Sequence, residues 1–332
     1  MSMDHNMRDN SASQISVRQI WIYLALTFAL SWLLWLPAIL DQQNAIFLNL
    51  GGGPAIVAIM MAARNRRDAA RPPWLAFMVL APILSAVLVL ATFLTTGVRT
   101  SLGWNALLLL PSLISAWIFA SAWSRDSGVR LLMGTLAHVT DWRWPIFAFL
   151  FFPALLLGSA AIARAAHLPV VEPARGTPML SILGLCGVRL TQNLAFTATY
   201  EEPGWRGFLL PALQRRFSPL LASVFVWLAW AAWHAPLDFS GGIGKNLAVW
   251  IQVRIVYFFA ITILLTWLYN RSRSLLTVAV FHAAMNSFPF LLPYSPPLLS
   301  VIFLLAGIAV VYGRMWRRVT PPHKAFAAGS HQ

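Results

Sequence analysis

Residues 74–96 read WLAFMVLAPILSAVLVLATFLTT, a run without a charged side chain. A transmembrane helix needs about 20 consecutive apolar residues, so this run is long enough to cross a bilayer. Similar runs recur along the chain of 332 residues, in which 59% of residues are hydrophobic and only 10% are charged. A soluble domain carries about 25% charged residues. The sequence therefore predicts an all-α, polytopic transmembrane helix bundle, because runs this continuous do not suit the alternating strands of a membrane barrel.

Ten apolar segments are candidate membrane spans, and we expect eight to ten of them to cross the bilayer. The first is longer than a signal-peptide core and ends at Asp41 rather than at a small-residue cleavage site, so we predict a retained span. The helices of 74–123 are predicted to be an extra pair. The ten segments are 19–40, 46–63, 74–96, 104–123, 144–163, 190–214, 219–237, 247–268, 275–292 and 297–313.

The chain carries a formal net charge of +14, but the placement of its basic residues argues against nucleic acid as a partner. When the N-terminus is placed in the cytoplasm, most of the 24 lysines and arginines fall in cytoplasmic segments, as the positive-inside rule requires. Both termini are therefore predicted to be cytoplasmic, and the basic side chains are predicted to contact anionic membrane lipids. A chain of this kind with little cytoplasmic mass suits the plasma membrane of a bacterium.

Two adjacent glutamates, Glu201 and Glu202, lie in an otherwise apolar neighbourhood. Ionisable groups at membrane depth are costly and usually functional. Glu202 and Arg206 are four residues apart, so on a helix they share a face and can form an ion pair. Pro203 is predicted to lie in the first turn of a helix, where its missing N–H costs little and the positive end of the helix would face the preceding carboxylate.

Two histidines, His234 and His282, lie well inside predicted spans, and Asn286 shares a helix face with His282. Helical rise places Glu201 and His234 roughly 22–24 Å above the turn that joins their spans, provided that the sixth span continues to Gln214. Neighbouring helices could then bring the two side chains together. His282 lies at about 14 Å on the same scale, so a tilt or a bend must supply the difference.

Three short patterns follow one another along this region. They are Glu-Glu-x-x-x-Arg, then an aromatic residue four positions before a histidine (aromatic-x-x-x-His), and finally His-x-x-x-Asn. Together with EEPGWRG at 201–207 and WHAP at 233–236, they resemble the CPBP family of membrane proteases. That family includes the type II CAAX prenyl proteases and bacterial proteins linked to bacteriocin processing and self-immunity. The resemblance covers residues 185–290. Trp230 departs from it, because the family more often has phenylalanine there, and we predict a packing role for this residue.

The resemblance implies an intramembrane, glutamate-dependent endopeptidase that needs no cofactor. Glu201, with His234, would hold and deprotonate a water molecule that attacks a peptide carbonyl, which is general-base work suited to a carboxylate. Glu202 would be the partner of Arg206, and this pair would fix the geometry of the site. No serine or cysteine stands beside a base in these motifs, so we expect no acyl-enzyme.

The oxyanion formed at the attacked carbonyl would accept hydrogen bonds from His282 and Asn286. The expected partner is a peptide or protein substrate, with lipidated and membrane-inserted chains among the candidates. On this interpretation the chain divides into a polar N-terminal segment, N-terminal transmembrane helices, a catalytic membrane core, and a last span with a basic cytoplasmic tail. The four parts are residues 1–18, 19–184, 185–290 and 291–332.

Two alternatives remain open on the residues alone. A zinc metalloprotease could use Glu201, His234 and His282, because zinc accepts mixed nitrogen and oxygen ligands, although the sequence has no His-Glu-x-x-His motif. A transporter or a non-catalytic peptide-binding immunity protein could use the same charged cluster as a relay or a binding site. Activity that resists a chelator would argue against the zinc metalloprotease. A protein that keeps its function after Glu201→Gln would be a non-catalytic binder or transporter rather than an enzyme.

Overall fold

The computed structural model describes residues 15–41, 47–64, 68, 73–96 and 102–318. Most of the predicted polar N-terminal segment and the basic tail from residue 319 onward lie outside the described residues. The described chain folds into helices α1 to α11, joined by short turns and 3₁₀ segments. Their bounds are α1 Val17–Leu40, α2 Gly53–Ala62, α3 Trp74–Thr96, α4 Leu102–Ala120, α5 Ser127–Met133, α6 Arg143–Ala165, α7 Met179–Gln214, α8 Pro219–Ser240, α9 Leu247–Ser272, α10 Leu275–Ser287 and α11 Leu298–Tyr312.

The prediction of an all-α, multi-pass membrane bundle is confirmed. Six of the described helices, α1, α3, α6, α7, α8 and α9, are long and apolar enough to cross a membrane. Four shorter apolar helical segments cover Phe47–Ala62, Leu108–Trp123, Leu275–Phe290 and Leu298–Tyr312. These ten segments correspond one for one to the ten predicted spans. The placement of the termini on the cytoplasmic side stays a prediction.

The start of the sixth predicted span is wrong, because α7 begins at Met179 rather than at residue 190. Arg189 interrupts the apolar run, so the predicted span starts after it. The three turns before this arginine are nevertheless helical. The resulting helix has 36 residues, about 54 Å at the usual rise per residue and longer than the apolar part of a bilayer. The predicted division at residue 185 therefore falls inside α7 rather than at the end of an element.

The interpretation of Pro203 as part of a helix's first turn is also wrong. The backbone runs through Pro203 without a break, and residues Pro203–Leu209 form a π-helical segment inside α7. A proline inside a helix lacks one hydrogen-bond donor and crowds the preceding turn, and a wider π turn relieves that crowding. Glu202 consequently does not lie at a helix N-terminus, and its charge must be offset by side chains.

The helix α7 lies at the centre of the bundle, where it packs against α2, α4, α5, α8 and α10. Gly204 permits the contact with α2, because a Cβ atom there would collide with the carbonyl oxygen of Pro54 and the hydroxyl of Tyr23. The ring of Trp205 packs edge-on against Tyr23, with 6.1 Å between ring centroids. This packing fixes the position of the two glutamates just before Gly204.

A second helix, α4, supports the part of α7 that precedes the glutamates. Ser115 donates a hydrogen bond of 2.7 Å to the carbonyl oxygen of Ala195, which lies in a π-helical segment at Leu194–Ala198. The hydroxyl of Tyr200 donates to the carbonyl oxygen of Pro111 at 2.6 Å. The second helix of the predicted extra pair, α4, is thus hydrogen-bonded to α7, the helix that carries the glutamates.

Candidate active site

The side chain of Glu202 joins two helices at the centre of the bundle. Its Oε1 atom accepts a hydrogen bond of 3.0 Å from Nη1 of Arg206 on the same helix. The same oxygen lies 2.7 Å from Nδ1 of His282 on α10. The side chains of Glu202 and Arg206 are both 0% exposed. The predicted ion pair at four-residue spacing is therefore present, and the contact with His282 adds a link between α7 and α10 that the sequence did not predict.

Glu201 points to a different neighbour. Its Oε2 atom accepts a hydrogen bond of 2.5 Å from the indole N–H of Trp230 on α8. The sequence predicted only packing for Trp230, so this donor was missed. The signal was present, however, because a tryptophan buried in a membrane bundle seeks an acceptor for its N–H, and acidic oxygens are scarce in this chain.

His234 is oriented by the backbone one turn earlier on α8. Its Nδ1 atom lies 2.9 Å from the carbonyl oxygen of Trp230. A carbonyl oxygen only accepts hydrogen bonds, so Nδ1 is the donor and carries a proton. The other ring nitrogen, Nε2, is then the one left for chemistry when the ring is neutral.

A cavity of about 400 Å³ brings four of the six predicted site residues together: Glu201, His234, His282 and Asn286 all line it. Glu202 and Arg206 do not line it, and they lie behind the wall as partners of each other and of His282. The six residues thus divide into a group that faces the cavity and a buried pair that supports it. The expectation that neighbouring helices bring Glu201 and His234 together is confirmed.

A smaller cavity of about 130 Å³ lies on another side of the same residues. Glu201, His234 and Thr197 line both cavities, and Trp35 and Gly51 line only the smaller one. A volume of this size accommodates a few water molecules, each of which occupies about 30 Å³ in the liquid. The carboxylate and the imidazole therefore stand between a large space and a small one.

A second ion pair, between a buried carboxylate and a partly buried guanidinium, lies at the wall of the large cavity. Arg254, which lines that cavity, donates from Nε and Nη2 to the two carboxylate oxygens of Asp238, each at 2.7 Å. Trp250 also donates to Asp238, at 3.1 Å, and the guanidinium lies 4.4 Å from the ring centroid of Phe258. The sequence did not single out this pair, although opposite charges within two neighbouring apolar spans are a recognisable signal.

The three proposed zinc ligands do not form a metal site in the described part of the chain. No group of three histidine, cysteine, aspartate or glutamate side chains converges there at metal-binding geometry. The Nδ1 atoms of His234 and His282 face a backbone carbonyl and the Glu202 carboxylate respectively. These contacts occupy only Nδ1 of each ring and leave Nε2 of both histidines for other partners, so zinc is tested directly by the chelator experiment below.

The fold and the site define a multi-pass helical membrane protein in which a glutamate and two histidines line a cavity between the helices. Residues 12–288 match the family model described as type II CAAX prenyl endopeptidase Rce1-like. The chain therefore belongs to this family, and the predicted resemblance is confirmed. The match begins before α1 and ends at α10, so it also takes in the helices in which the sequence showed no motif.

A curated relative gives a second comparison. Over 133 residues the chain is 30% identical to CAAX prenyl protease 2 of Methanococcus maripaludis. The aligned part covers 36% of this chain and 48% of that protein. The chain thus spans about half the length of the curated relative that it matches.

Proposed function

We propose that this chain is an intramembrane endopeptidase that hydrolyses a peptide bond with an activated water molecule. The observation that carries the proposal is the convergence of Glu201 and His234, from two helices, on one cavity that His282 and Asn286 also line. Membership of a family of prenyl endopeptidases supports the same reaction. The geometry supplies a base, a second proton carrier and hydrogen-bond donors within one space.

The water molecule would be activated by Glu201 and His234. The Glu201 oxygen that does not bond to Trp230 accepts a proton from the water, and Nε2 of His234 accepts the other hydrogen bond of that water. The hydroxide formed in this way attacks the peptide carbonyl, and the proton passes from Glu201 to the leaving amine. The small cavity that Glu201 and His234 also line would supply water to the site.

The negative charge that develops on the carbonyl oxygen would be stabilised by His282 and Asn286. A protonated imidazole donates from both nitrogens, so Nδ1 can bond to Glu202 while Nε2 bonds to the oxyanion. Glu202 and Arg206 then have the role of holding His282 in place.

The substrate would be a peptide with an apolar, membrane-inserted part, and a prenylated C-terminal peptide is the first candidate. The cavity wall is largely apolar, with Val253, Phe258, Met285 and Phe290 among its residues. The name of the relative from Methanococcus maripaludis indicates prenylated CAAX substrates for that protein, and we extend this to the present chain as a proposal. We place the protein in the plasma membrane, where its basic segments contact anionic lipids.

The proposal is tested with purified protein in lipid vesicles and a quenched fluorescent peptide that ends in a prenylated CAAX sequence. Wild type is compared with Glu201→Gln and with Glu172→Gln, a matched change at an exposed glutamate outside the site. We expect cleavage by wild type and Glu172→Gln, and none by Glu201→Gln, both with and without a strong chelator. Cleavage that the chelator stops and zinc restores would favour the metalloprotease, and a Glu201→Gln variant that cleaves normally would overturn the proposal.

A further inference from the structure

Trp230 contacts four polar side chains in and around the candidate site. Its indole N–H donates to Oε2 of Glu201, and its backbone carbonyl accepts from Nδ1 of His234. The guanidinium of Arg206 lies 4.8 Å from the centroid of the indole ring. The ring is also 5.4 Å from the His282 ring, in edge contact. One residue therefore meets both proposed water-binding groups and both groups that contact Glu202.

The orientation of the indole is fixed by its surroundings. The ring stacks on Phe258 with 4.2 Å between centroids and an angle of 22° between planes. Trp230 is 1% exposed, so bulk water does not compete for its N–H. An indole has one donor and no acceptor, so it bonds to a carboxylate oxygen without ambiguity. The bond therefore determines which way the Glu201 carboxylate faces.

We propose that Trp230 is a positioning residue that holds one oxygen of Glu201 and so directs the other toward the water to be activated. The inference rests on the proposed function, in which Glu201 is the base. A carboxylate held at one oxygen loses little freedom on reaching the reactive geometry, and this preorganisation raises the rate of the chemical step rather than substrate binding. Phenylalanine at this position would keep the stacking but would lack the donor.

Two variants remove the N–H and keep an aromatic ring. The first is Trp230→Phe, and the second replaces the indole nitrogen by sulfur, as Trp230→benzothienylalanine, which keeps the bicyclic shape. Trp267→Phe is the control, because the indole nitrogen of Trp267 is buried without a hydrogen-bond partner within the described residues and this residue lines neither cavity of the site. Both variants at position 230 are expected to lower kcat about tenfold with little change in KM. The control is expected to leave kcat and KM unchanged.

Infrared difference spectroscopy reads the hydrogen bond itself, without substrate. The spectrum of wild type minus Glu201→Gln isolates the bands of the Glu201 carboxyl group, and we expect these bands to shift in the benzothienylalanine variant but not in Trp267→Phe. An unchanged band, or a fall in kcat no larger than that of Trp267→Phe, would overturn the proposal. A wild-type protein that cleaves nothing would instead count against the proposed function, since the infrared measurement does not depend on activity.

Discussion

Replacing Arg206 by methionine would remove the guanidinium that pairs with Glu202 in the centre of the bundle. The distance between Nη1 and Oε1 is 3.0 Å, and neither side chain is exposed. Removing one partner of a buried ion pair costs about 3–5 kcal/mol, because the other charge is left without compensation. We expect Arg206→Met to lower the free energy of unfolding by about this amount.

The complementary change, Glu202→Gln, keeps an oxygen that accepts from His282 but removes the carboxylate charge that pairs with Arg206. It should also cost about 3–5 kcal/mol. The double variant carries neither charge, so its loss reduces to imperfectly paired polar groups, about 1–3 kcal/mol. Independent effects would sum to about 6–10 kcal/mol, so the predicted coupling between the two sites is at least about 3 kcal/mol.

The assay is reversible unfolding in mixed detergent and SDS micelles, followed by circular dichroism, on wild type, both single variants and the double variant. Arg164→Met is the control, because the Arg164–Glu172 pair has exposed side chains, and exposed pairs contribute little to stability. Single losses that simply add in the double variant would refute the reasoning. So would an Arg206→Met variant as stable as wild type.

The remaining predictions concern the packing of α7 and the second ion pair, and the same unfolding assay measures them. Gly204→Ala should lower stability by about 1–3 kcal/mol, because its Cβ meets the Pro54 carbonyl. Gly187→Ala in the same helix has open space and should be neutral or stabilising, and equal effects at both positions would contradict the packing argument. Arg254→Met should cost about 3 kcal/mol, since Asp238 loses two hydrogen bonds. Adding Asp238→Asn should recover part of this loss, and no recovery would count against the pairing.

The number and position of the helices could be predicted from the sequence because a bilayer imposes a simple constraint. Every spanning backbone must satisfy its hydrogen bonds internally, so apolar runs of sufficient length become helices. The prediction failed where a charged residue interrupted a run, as Arg189 did before the sixth span. It also failed at Pro203, because π turns let a helix continue where local rules predict a boundary.

Contacts within one helix could be predicted, and contacts between helices could be predicted only in part. The Glu202–Arg206 pair follows from a spacing of four residues, and the convergence of Glu201 and His234 follows from helical rise. The hydrogen bond from Trp230 to Glu201 does not follow from either rule. It depends on which face of α8 meets α7, and that is decided by packing across the whole bundle.

The Asp238–Arg254 pair was missed for a related reason. The two residues lie on successive helices, and neither has a lysine, arginine, aspartate or glutamate of opposite charge at helical spacing on its own helix. Only the turn between α8 and α9 brings them together. A charged residue within a membrane span usually pairs with an opposite charge on a neighbouring helix. Applied to Asp238 and Arg254, this rule would have predicted the pair.

The most direct test of the account is the single-turnover cleavage rate of Glu201→Gln with a prenylated peptide at saturating concentration. Glutamine keeps an acceptor for the Trp230 N–H but cannot take a proton from water. We expect a loss of about 10²–10⁴ in this rate, as is typical when a general base is removed, while peptide binding is retained. A rate within a few-fold of wild type would contradict the assignment of Glu201 as the base.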